Sequence, residues 1–171
     1  DERVVVASAA YTEAIKLLES LVSEFPERPE IRHELAAVLL NTANLHRRSP
    51  DPERNVVPLR KARTLLQRLA NDFPATPEYR RTLANACNSM AALAYARGQF
   101  DQAENLLAES VTHFGELISR GGVTEDRGGR GDTLGNLARL KLRRLHPAPI
   151  TCLAVSGGPG IVYDLDQTAV I

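Results

Sequence analysis

Histidine and cysteine side chains are the first candidates for chemistry, because they bind transition metals and act as bases and nucleophiles. The chain has four histidines and two cysteines: His33, His46, His113, His146, Cys87 and Cys152. Their spacing fits neither H-E-x-x-H, nor a C-x-x-C pair, nor a disulfide framework. We therefore predict no metal site and no cofactor. We expect each histidine to be a partly exposed helix residue.

An aspartate pair near the end of the sequence is the second pattern that could do chemistry. Asp164, Asp166 and Thr168 form D-x-D-x-T after the apolar residues 161–163, which could be a strand. The string resembles that of haloacid-dehalogenase-like phosphatases, and the resemblance implies a nucleophilic Asp164 and an acid–base Asp166. The downstream lysine and acidic pair of such enzymes have no counterpart here. We expect a chance match and keep a phosphatase fragment only as an alternative.

Phosphate-binding and kinase motifs are absent from the sequence. It has no G-x-x-x-x-G-K-[ST], and its glycine clusters at 128–135 and 157–160 do not complete G-x-G-x-x-G. The kinase strings H-R-D and D-F-G are missing as well. With 21 basic and 21 acidic residues the formal net charge is zero, so counterion release would contribute little to binding a polyanion. We predict a chain that is not an enzyme and binds no nucleic acid.

The sequence also bears on location. No apolar run approaches the roughly 20 residues of a membrane-spanning helix, and no signal-peptide pattern is present. We predict a cytoplasmic chain without a membrane span. The sequence begins at Asp1, without an initiator methionine, and its first helix starts almost at once. We therefore expect it to be a piece of a longer protein.

An internal repeat organises most of the chain. The stretch Leu17–Leu35 aligns with Leu65–Leu83, which places Phe25 and Phe73 at equivalent positions 48 residues apart. A weaker third copy has Phe114 at that position, 41 residues later. Repeats of this length indicate helical units that bury their apolar faces by stacking on their neighbours.

Helix start and stop signals divide each repeat into two helices. Pro29 and Pro77 suit the first turn of a helix, and Gly98 suits the left-handed position that ends one. Between these signals the apolar residues recur at three- and four-residue steps. The sequence predicts six helices, near 4–25, 29–48, 57–73, 77–97, 100–120 and 132–146. We expect a glycine-rich linker, including Arg130-Gly131-Asp132, before the last of them.

Several of these residues resemble the tetratricopeptide repeat, or TPR. The matching positions are Ala91, Gly98, Phe100, Ala103 and Leu107. Cys87 and Ala94 stand where the family most often has large aromatic residues, and the repeats exceed the usual length of about 34 residues. The string FP-x-x-PEYR-x-x-LA-x-x-x-N at 73–88 is similar to repeat arrays that follow the kinase domain in many planctomycete serine/threonine protein kinases.

The resemblance implies an all-α fold and a binding surface. It implies a right-handed stack of antiparallel helix pairs, a TPR-like α-solenoid, over residues 1–146, with an irregular tail over 147–171. Helices 29–48, 77–97 and 132–146 would line a concave groove for a protein or peptide. Asparagine and arginine side chains there suit a peptide backbone or a carboxylate. The candidate groove residues are Leu40, Asn44, Asn85, Asn88, Ala92, Tyr95, Asn136, Arg139 and Arg143.

The predicted function is protein–protein interaction. We expect a regulatory or recruiting part of a larger signalling protein, whose kinase domain, if it has one, lies outside this chain. Two alternatives stay open. A passive spacer or self-association element predicts a concave face without selectivity. A phosphatase fragment predicts magnesium-dependent activity in a longer chain.

Overall fold

The fold is known from a computed structural model that describes residues 2–47, 49, 51 and 53–145. Over these ranges the regular structure is six α-helices and no strand, which confirms the all-α prediction. The helices are α1 (Glu2–Glu24), α2 (Pro29–Leu45), α3 (Glu53–Asp72), α4 (Pro77–Ala96), α5 (Phe100–Ser119) and α6 (Thr124–Leu145). The tail 147–171, with Cys152 and the Asp164, Asp166 and Thr168 string, lies outside the described residues, as does His146. Predictions made for these residues stay predictions.

The first five helices begin and end within four residues of their predicted bounds. Pro29 and Pro77 are the first residues of α2 and α4, as expected from the missing N–H of proline. The largest shift among the five is at α3, which begins at Glu53 and continues through Pro58. A proline at this depth removes one backbone hydrogen bond, yet the helix continues on both sides of it.

The 48-residue repeat is also a repeat of backbone geometry. The N–H of Phe25 donates to the carbonyl four residues earlier at 2.8 Å, and that of Phe73 does the same at 2.9 Å. The carbonyls of both phenylalanines then accept from the N–H three residues later, at 3.1 and 3.0 Å. The turns that join α1 to α2 and α3 to α4 are therefore equivalent.

Two helices end in the Schellman arrangement, which needs a residue in the left-handed region. Gly98 after α4 has a φ of 71°, and Gly121 after α5 has a φ of 90°. At each end the glycine N–H and the next N–H donate to carbonyls three and five residues earlier. The distances are 2.9 and 2.9 Å at Gly98, and 3.1 and 2.9 Å at Gly121. The predicted role of Gly98 is confirmed.

The sixth helix differs most from its prediction. It begins at Thr124, eight residues before the predicted start at 132, and Arg130-Gly131-Asp132 lies inside it. The expected linker is therefore wrong. One reason lies at Gly129, where a Cβ atom would come within 2.5 Å of Cζ of Phe114 on α5. The lack of a side chain allows α6 to lie against that buried ring, and this packing offsets the low helix propensity of glycine.

A buried carboxylate stabilises the start of α6. The side chain of Asp126, in the first turn, accepts a hydrogen bond from the N–H of Val123 at 2.9 Å. Val123 directly precedes the helix, so this contact is the reciprocal half of a capping box. Asp126 also carries negative charge at the positive end of the helix dipole. The helix therefore starts at a defined position despite its glycines.

The residue contacts divide the chain into two compact units, one ending at Ala86 and the other beginning at Cys87. In the first unit α2 packs against α1 and α3. Its buried core is supplied largely by α2 and α3, whereas α1 has no fully buried residue. In the second unit α5 packs against α6. The buried apolar cluster there consists of Ala91, Ala94, Ala103, Leu106, Leu107 and Leu140.

Two of the three described histidines are less exposed than the sequence predicted. His46 and His113 are each only 8% exposed, so the expectation of partly exposed residues is wrong for both. His46 directly follows α2 and is not inside it. His113 lies on the buried side of α5, three positions after Ser110 and directly before Phe114, both of which are buried. The helical repeat of about 3.6 residues therefore places His113 on the same buried side. His33, on α2, is half-buried as expected.

Candidate functional site

Three of the predicted groove residues lie in the first unit. Leu40 on α2 is 6% exposed and belongs to the core of that unit. Asn44, one turn later, is half-buried, and Asn85 on α4 is exposed. Leu40 therefore packs within its own unit and offers little surface to a ligand. A role in binding for Asn44 and Asn85 stays a prediction.

The other six predicted residues lie in the second unit, on α4 and α6. They are Asn88, Ala92, Tyr95, Asn136, Arg139 and Arg143, and all six are half-buried. Half-buried polar side chains are partly fixed by their neighbours and still reach the surface. This combination suits a binding surface better than full exposure does, since less side-chain entropy is lost on contact.

The Tyr95 ring contacts two other side chains of the second unit, Arg143 and Phe100. The guanidinium carbon of Arg143 lies 5.9 Å from the centroid of the Tyr95 ring, a cation–π distance. The ring of Phe100 meets the Tyr95 ring edge-on, with centroids 5.5 Å apart and an interplanar angle of 66°. The fold thus brings together Tyr95 and Arg143, two predicted residues that are distant in sequence.

Asn136 and Arg139 continue the same row of α6. They precede Arg143 by seven and four positions, which places the three side chains on one side of the helix. Nη1 of Arg139 donates to Oδ1 of Asn136 at 3.4 Å, a long hydrogen bond. On α4, the small Ala92 lies one turn before Tyr95. We call the surface formed by Ala92, Tyr95, Asn136, Arg139 and Arg143 the Tyr95 face.

Asn88 has structural partners within the unit. Its Nδ2 donates to Oγ1 of Thr133 at 2.9 Å, and that hydroxyl donates to the carbonyl of Gly129 at 2.7 Å. Oγ of Ser110 lies 3.4 Å from the same hydroxyl. Thr133 and Ser110 are buried, so these bonds join α4, α5 and α6 inside the unit. The contacts give Asn88 a part in holding the helices together, and its role in binding stays a prediction.

A second row of basic residues on α6 forms ion pairs with α5. Arg144 donates to Asp101 at 2.5 Å and to Glu104 at 2.7 Å, and Lys141 lies 3.5 Å from Glu104. The nearby Asp101 carboxylate, together with Glu104, raises the pKa of the Arg144 guanidinium above its ordinary value. Arg144 therefore directs its charge toward α5, whereas Arg143, its neighbour in sequence, lies against Tyr95.

Sequence spacing missed a group of three possible metal ligands in the second unit. Sγ of Cys87 on α4 and the side-chain donors of Glu109 and His113 on α5 all lie within 4.8 Å of one another. Cys87 and His113 are buried, and Glu109 is half-buried. The one signal in the sequence is the four-residue step between Glu109 and His113, which puts both on one side of a helix. Cys87 joins them only through tertiary packing.

A histidine also contributes to packing in the first unit. Nε2 of His33 is 3.0 Å from Oγ1 of Thr82, and that hydroxyl donates to the carbonyl of Glu78 at 2.9 Å. The hydroxyl therefore accepts from an Nε2–H on His33. The ring also lies 5.0 Å from that of Tyr79. Burial lowers the pKa of His33, while Glu78 and Glu34 raise it in part. The arrangement favours a neutral imidazole.

Ser8 and His46 form a hydroxyl–imidazole contact of the kind that could suggest nucleophilic catalysis. Oγ of Ser8 lies 3.2 Å from Nε2 of His46. Ser8 is in the interior of α1, where the surrounding backbone N–H groups are used by the helix itself. Such a position cannot supply the backbone donors of an oxyanion hole. The contact therefore anchors α1 beside the end of α2 and gives no support to an enzyme.

No protein-family model, curated protein or solved structure matches the chain. In the part of the chain that the structure describes, none of the helices has the length and apolar character needed to cross a membrane.

Proposed function

We propose that this chain is a TPR-like interaction module that binds an acidic segment of another protein through the Tyr95 face. The observation that carries the proposal is the stack of Arg143 on Tyr95 at 5.9 Å, between two helices of the second unit. Tyrosine and arginine are enriched at the energetic centres of protein interfaces. A guanidinium that rests on an aromatic ring keeps its N–H groups directed to the sides, where a carboxylate can accept two hydrogen bonds.

The composition of the face indicates the chemistry of its ligand. Arg139 and Arg143 supply positive charge, and Asn136 supplies an amide that can pair with a peptide backbone. Ala92 adds a small apolar surface beside the Tyr95 ring. A peptide with a glutamate, an aspartate or a C-terminal carboxylate next to an apolar residue would use all of these groups.

The wider proposal concerns architecture and context. We propose that the helix pairs stack as a right-handed solenoid with a concave groove. The 48-residue repeat and its equivalent turns at Phe25 and Phe73 support this proposal. Stacked pairs of this kind present long surfaces to partner proteins. We further propose that the module belongs to a larger cytoplasmic signalling protein and recruits or regulates its partners.

The proposal is tested by binding of selected peptides. Peptides are selected from a random library on the immobilised chain, and their dissociation constants are measured by fluorescence anisotropy. Arg143→Ala and Tyr95→Ala should each weaken binding by about 5-fold or more, as expected for residues at an interface centre. Arg144→Ala is the matched control, because Arg144 is paired with Asp101 and Glu104 on α5. It should change the affinity for the peptide by less than about 2-fold, because the Arg144 guanidinium lies against α5. The fold should also be kept, since exposed ion pairs contribute little to the free energy of unfolding.

The alternatives predict other results. Equal loss in the Arg143 and Arg144 variants would show a general charge effect and remove the Tyr95 face as the site. A chain that selects no peptide would favour the spacer. A chain that forms dimers in sedimentation experiments, with Tyr95→Ala restoring the monomer, would assign the face to self-association.

A further inference from the structure

The group formed by Cys87, Glu109 and His113 has the composition of a zinc site. A thiol, a carboxylate and an imidazole are the three side-chain ligands that Zn²⁺ uses in proteins. Their donor atoms come from two helices and all lie within 4.8 Å of one another. Nε2 of His113 is 3.6 Å from Oε1 of Glu109, which is longer than a hydrogen bond. It is close to the distance between two ligands on one metal ion.

Local structure explains why the three residues meet. Glu109 and His113 are four positions apart on α5, so their side chains lie on one side of the helix. Gly98 ends α4 with a tight turn, and α5 starts two residues later. This antiparallel connection returns the chain along α4 and places Cys87 opposite the two α5 residues. The site therefore needs no contribution from other helices.

We propose that the α4–α5 pair binds one Zn²⁺ ion through Cys87, Glu109 and His113. Zinc-to-ligand bonds of about 2.0 to 2.3 Å in a tetrahedron place the ligand atoms about 3.3 to 3.7 Å apart. The His113–Glu109 distance of 3.6 Å already fits. The two pairs that include Sγ of Cys87 lie within 4.8 Å, so each has to close by about 1 Å at most. Small rotations of the Cys87, Glu109 and His113 side chains about their χ angles would supply this change.

Charge balance favours a divalent ion at this position. Binding requires the thiolate, so the Cys87 thiol releases its proton to solvent when the Zn–S bond forms. The thiolate and the Glu109 carboxylate then carry two negative charges against the two positive charges of zinc, and His113 binds as a neutral ring. A net-neutral cluster reduces the cost of placing charge in a site where Cys87 is fully buried. A water molecule that enters from the half-buried Glu109 side would be the fourth ligand.

Burial also distinguishes a zinc site from a catalytic cysteine. Cys87 is 0% exposed, so a substrate cannot reach its sulfur, whereas a small ion needs only a local side-chain movement. A bound ion would join α4 to α5 and stabilise the folded chain, because the unfolded chain does not hold the three ligands together. The proposal does not depend on the Tyr95 face, and its test is separate from peptide binding.

Cobalt provides the direct test, because Co²⁺ occupies zinc sites and absorbs light. The full chain with Cys152→Ser is titrated with Co²⁺ alone, so that Cys87 is the one remaining thiol. We expect one Co²⁺ per chain, a sulfur-to-cobalt charge-transfer band in the near ultraviolet, and ligand-field bands in the visible of four-coordinate intensity. One equivalent of Zn²⁺ should remove these bands by displacing the cobalt.

Variants then assign the ligands. Cys87→Ala should abolish the charge-transfer band, and His113→Gln should weaken cobalt binding by more than about 100-fold, because loss of a second-sphere partner alone costs about 10- to 100-fold. His46→Gln, which alters another buried histidine, should leave binding unchanged. Zn²⁺ should raise the thermal midpoint of the Cys152→Ser chain and not that of Cys87→Ala. If Cys87→Ala loses its helical circular dichroism, Cys87→Ser takes its place.

The proposal is overturned by either of two results. One is the absence of a charge-transfer band at saturating Co²⁺ in the Cys152→Ser chain. The other is the same band and affinity after Cys87 is replaced. Tyr95→Ala should keep full cobalt binding, so loss of peptide binding and loss of metal binding can be told apart.

Discussion

The packing of Gly129 against Phe114 gives the sharpest test of the fold. In Gly129→Ala the new Cβ would lie 2.5 Å from Cζ and 2.6 Å from Cε1 of Phe114. Carbon atoms do not approach so closely, so either the ring or α6 must shift. Phe114 is 1% exposed, so its ring is enclosed by neighbouring atoms and a shift of the ring disturbs them. We expect an overpacking cost of about 1 to 3 kcal/mol.

The helix propensity of alanine acts in the opposite direction. Glycine to alanine inside a helix stabilises it by about 1 kcal/mol, and the unfolded chain becomes less flexible as well. Gly131→Ala receives both of these gains, because nothing lies within 4 Å of a Cβ at that position. Because both variants gain the same helix propensity, the difference between their free energies of unfolding reports the contact with Phe114. We therefore expect Gly129→Ala to be less stable than Gly131→Ala by about 1 to 3 kcal/mol.

Thermal unfolding followed by far-ultraviolet circular dichroism measures this difference. For a chain of this size, 1 kcal/mol corresponds to about 2 to 4 °C in the midpoint. Gly129→Ala should therefore melt at least ~2 °C below Gly131→Ala. Equal midpoints, or a higher one for Gly129→Ala, would refute the packing of α6 on α5 and restore the glycine-rich linker that the sequence predicted.

Three further predictions concern the helix end, the core and pH. Gly98→Ala should lower the free energy of unfolding by about 1 to 2 kcal/mol in urea titrations, because its φ of 71° strains a residue with a side chain. Gly115→Ala, inside α5 with nothing within 4 Å, should show no such loss. Ala91→Phe should cost about 1 to 3 kcal/mol by overpacking the cluster of the second unit, and an unchanged melting curve would contradict that cluster. The pKa of His33 is lower in the folded chain than in the unfolded chain. As the pH falls, the imidazole of His33 is therefore protonated in the unfolded chain before it is protonated in the folded chain. The contribution of His33 to stability should therefore be present above about pH 6.5 and be lost as the pH falls through the lowered pKa, and urea midpoints of His33→Gln should depend less steeply on pH.

Local signals made most of the helices predictable. Pro29 and Pro77 begin their helices and Gly98 ends one because each acts through its own backbone, without help from distant residues. The TPR resemblance placed Tyr95 and Arg143 on two helices that line one groove, and the two side chains are in contact. Their role in binding stays a prediction.

Tertiary contacts explain what the sequence did not reveal. The start of α6 was missed because the low propensity of its glycines is local, whereas the benefit of Gly129 comes from Phe114 on another helix. The ligand group was missed because Cys87 precedes Glu109 by 22 positions, and no linear motif has that spacing. Metal motifs are found in sequence only when a short segment supplies most of the ligands.

We propose that Arg143 on the Tyr95 face contacts a carboxylate of the partner. A double-mutant cycle measures this contact most directly, with Arg143→Ala in the chain and the acidic residue changed to its amide in a selected peptide. We expect a coupling free energy of about 0.5 to 3 kcal/mol for this pair and a value near zero for Arg144→Ala with the same peptide change. Additive effects of the two changes at Arg143, or equal coupling at Arg143 and Arg144, would contradict the claim.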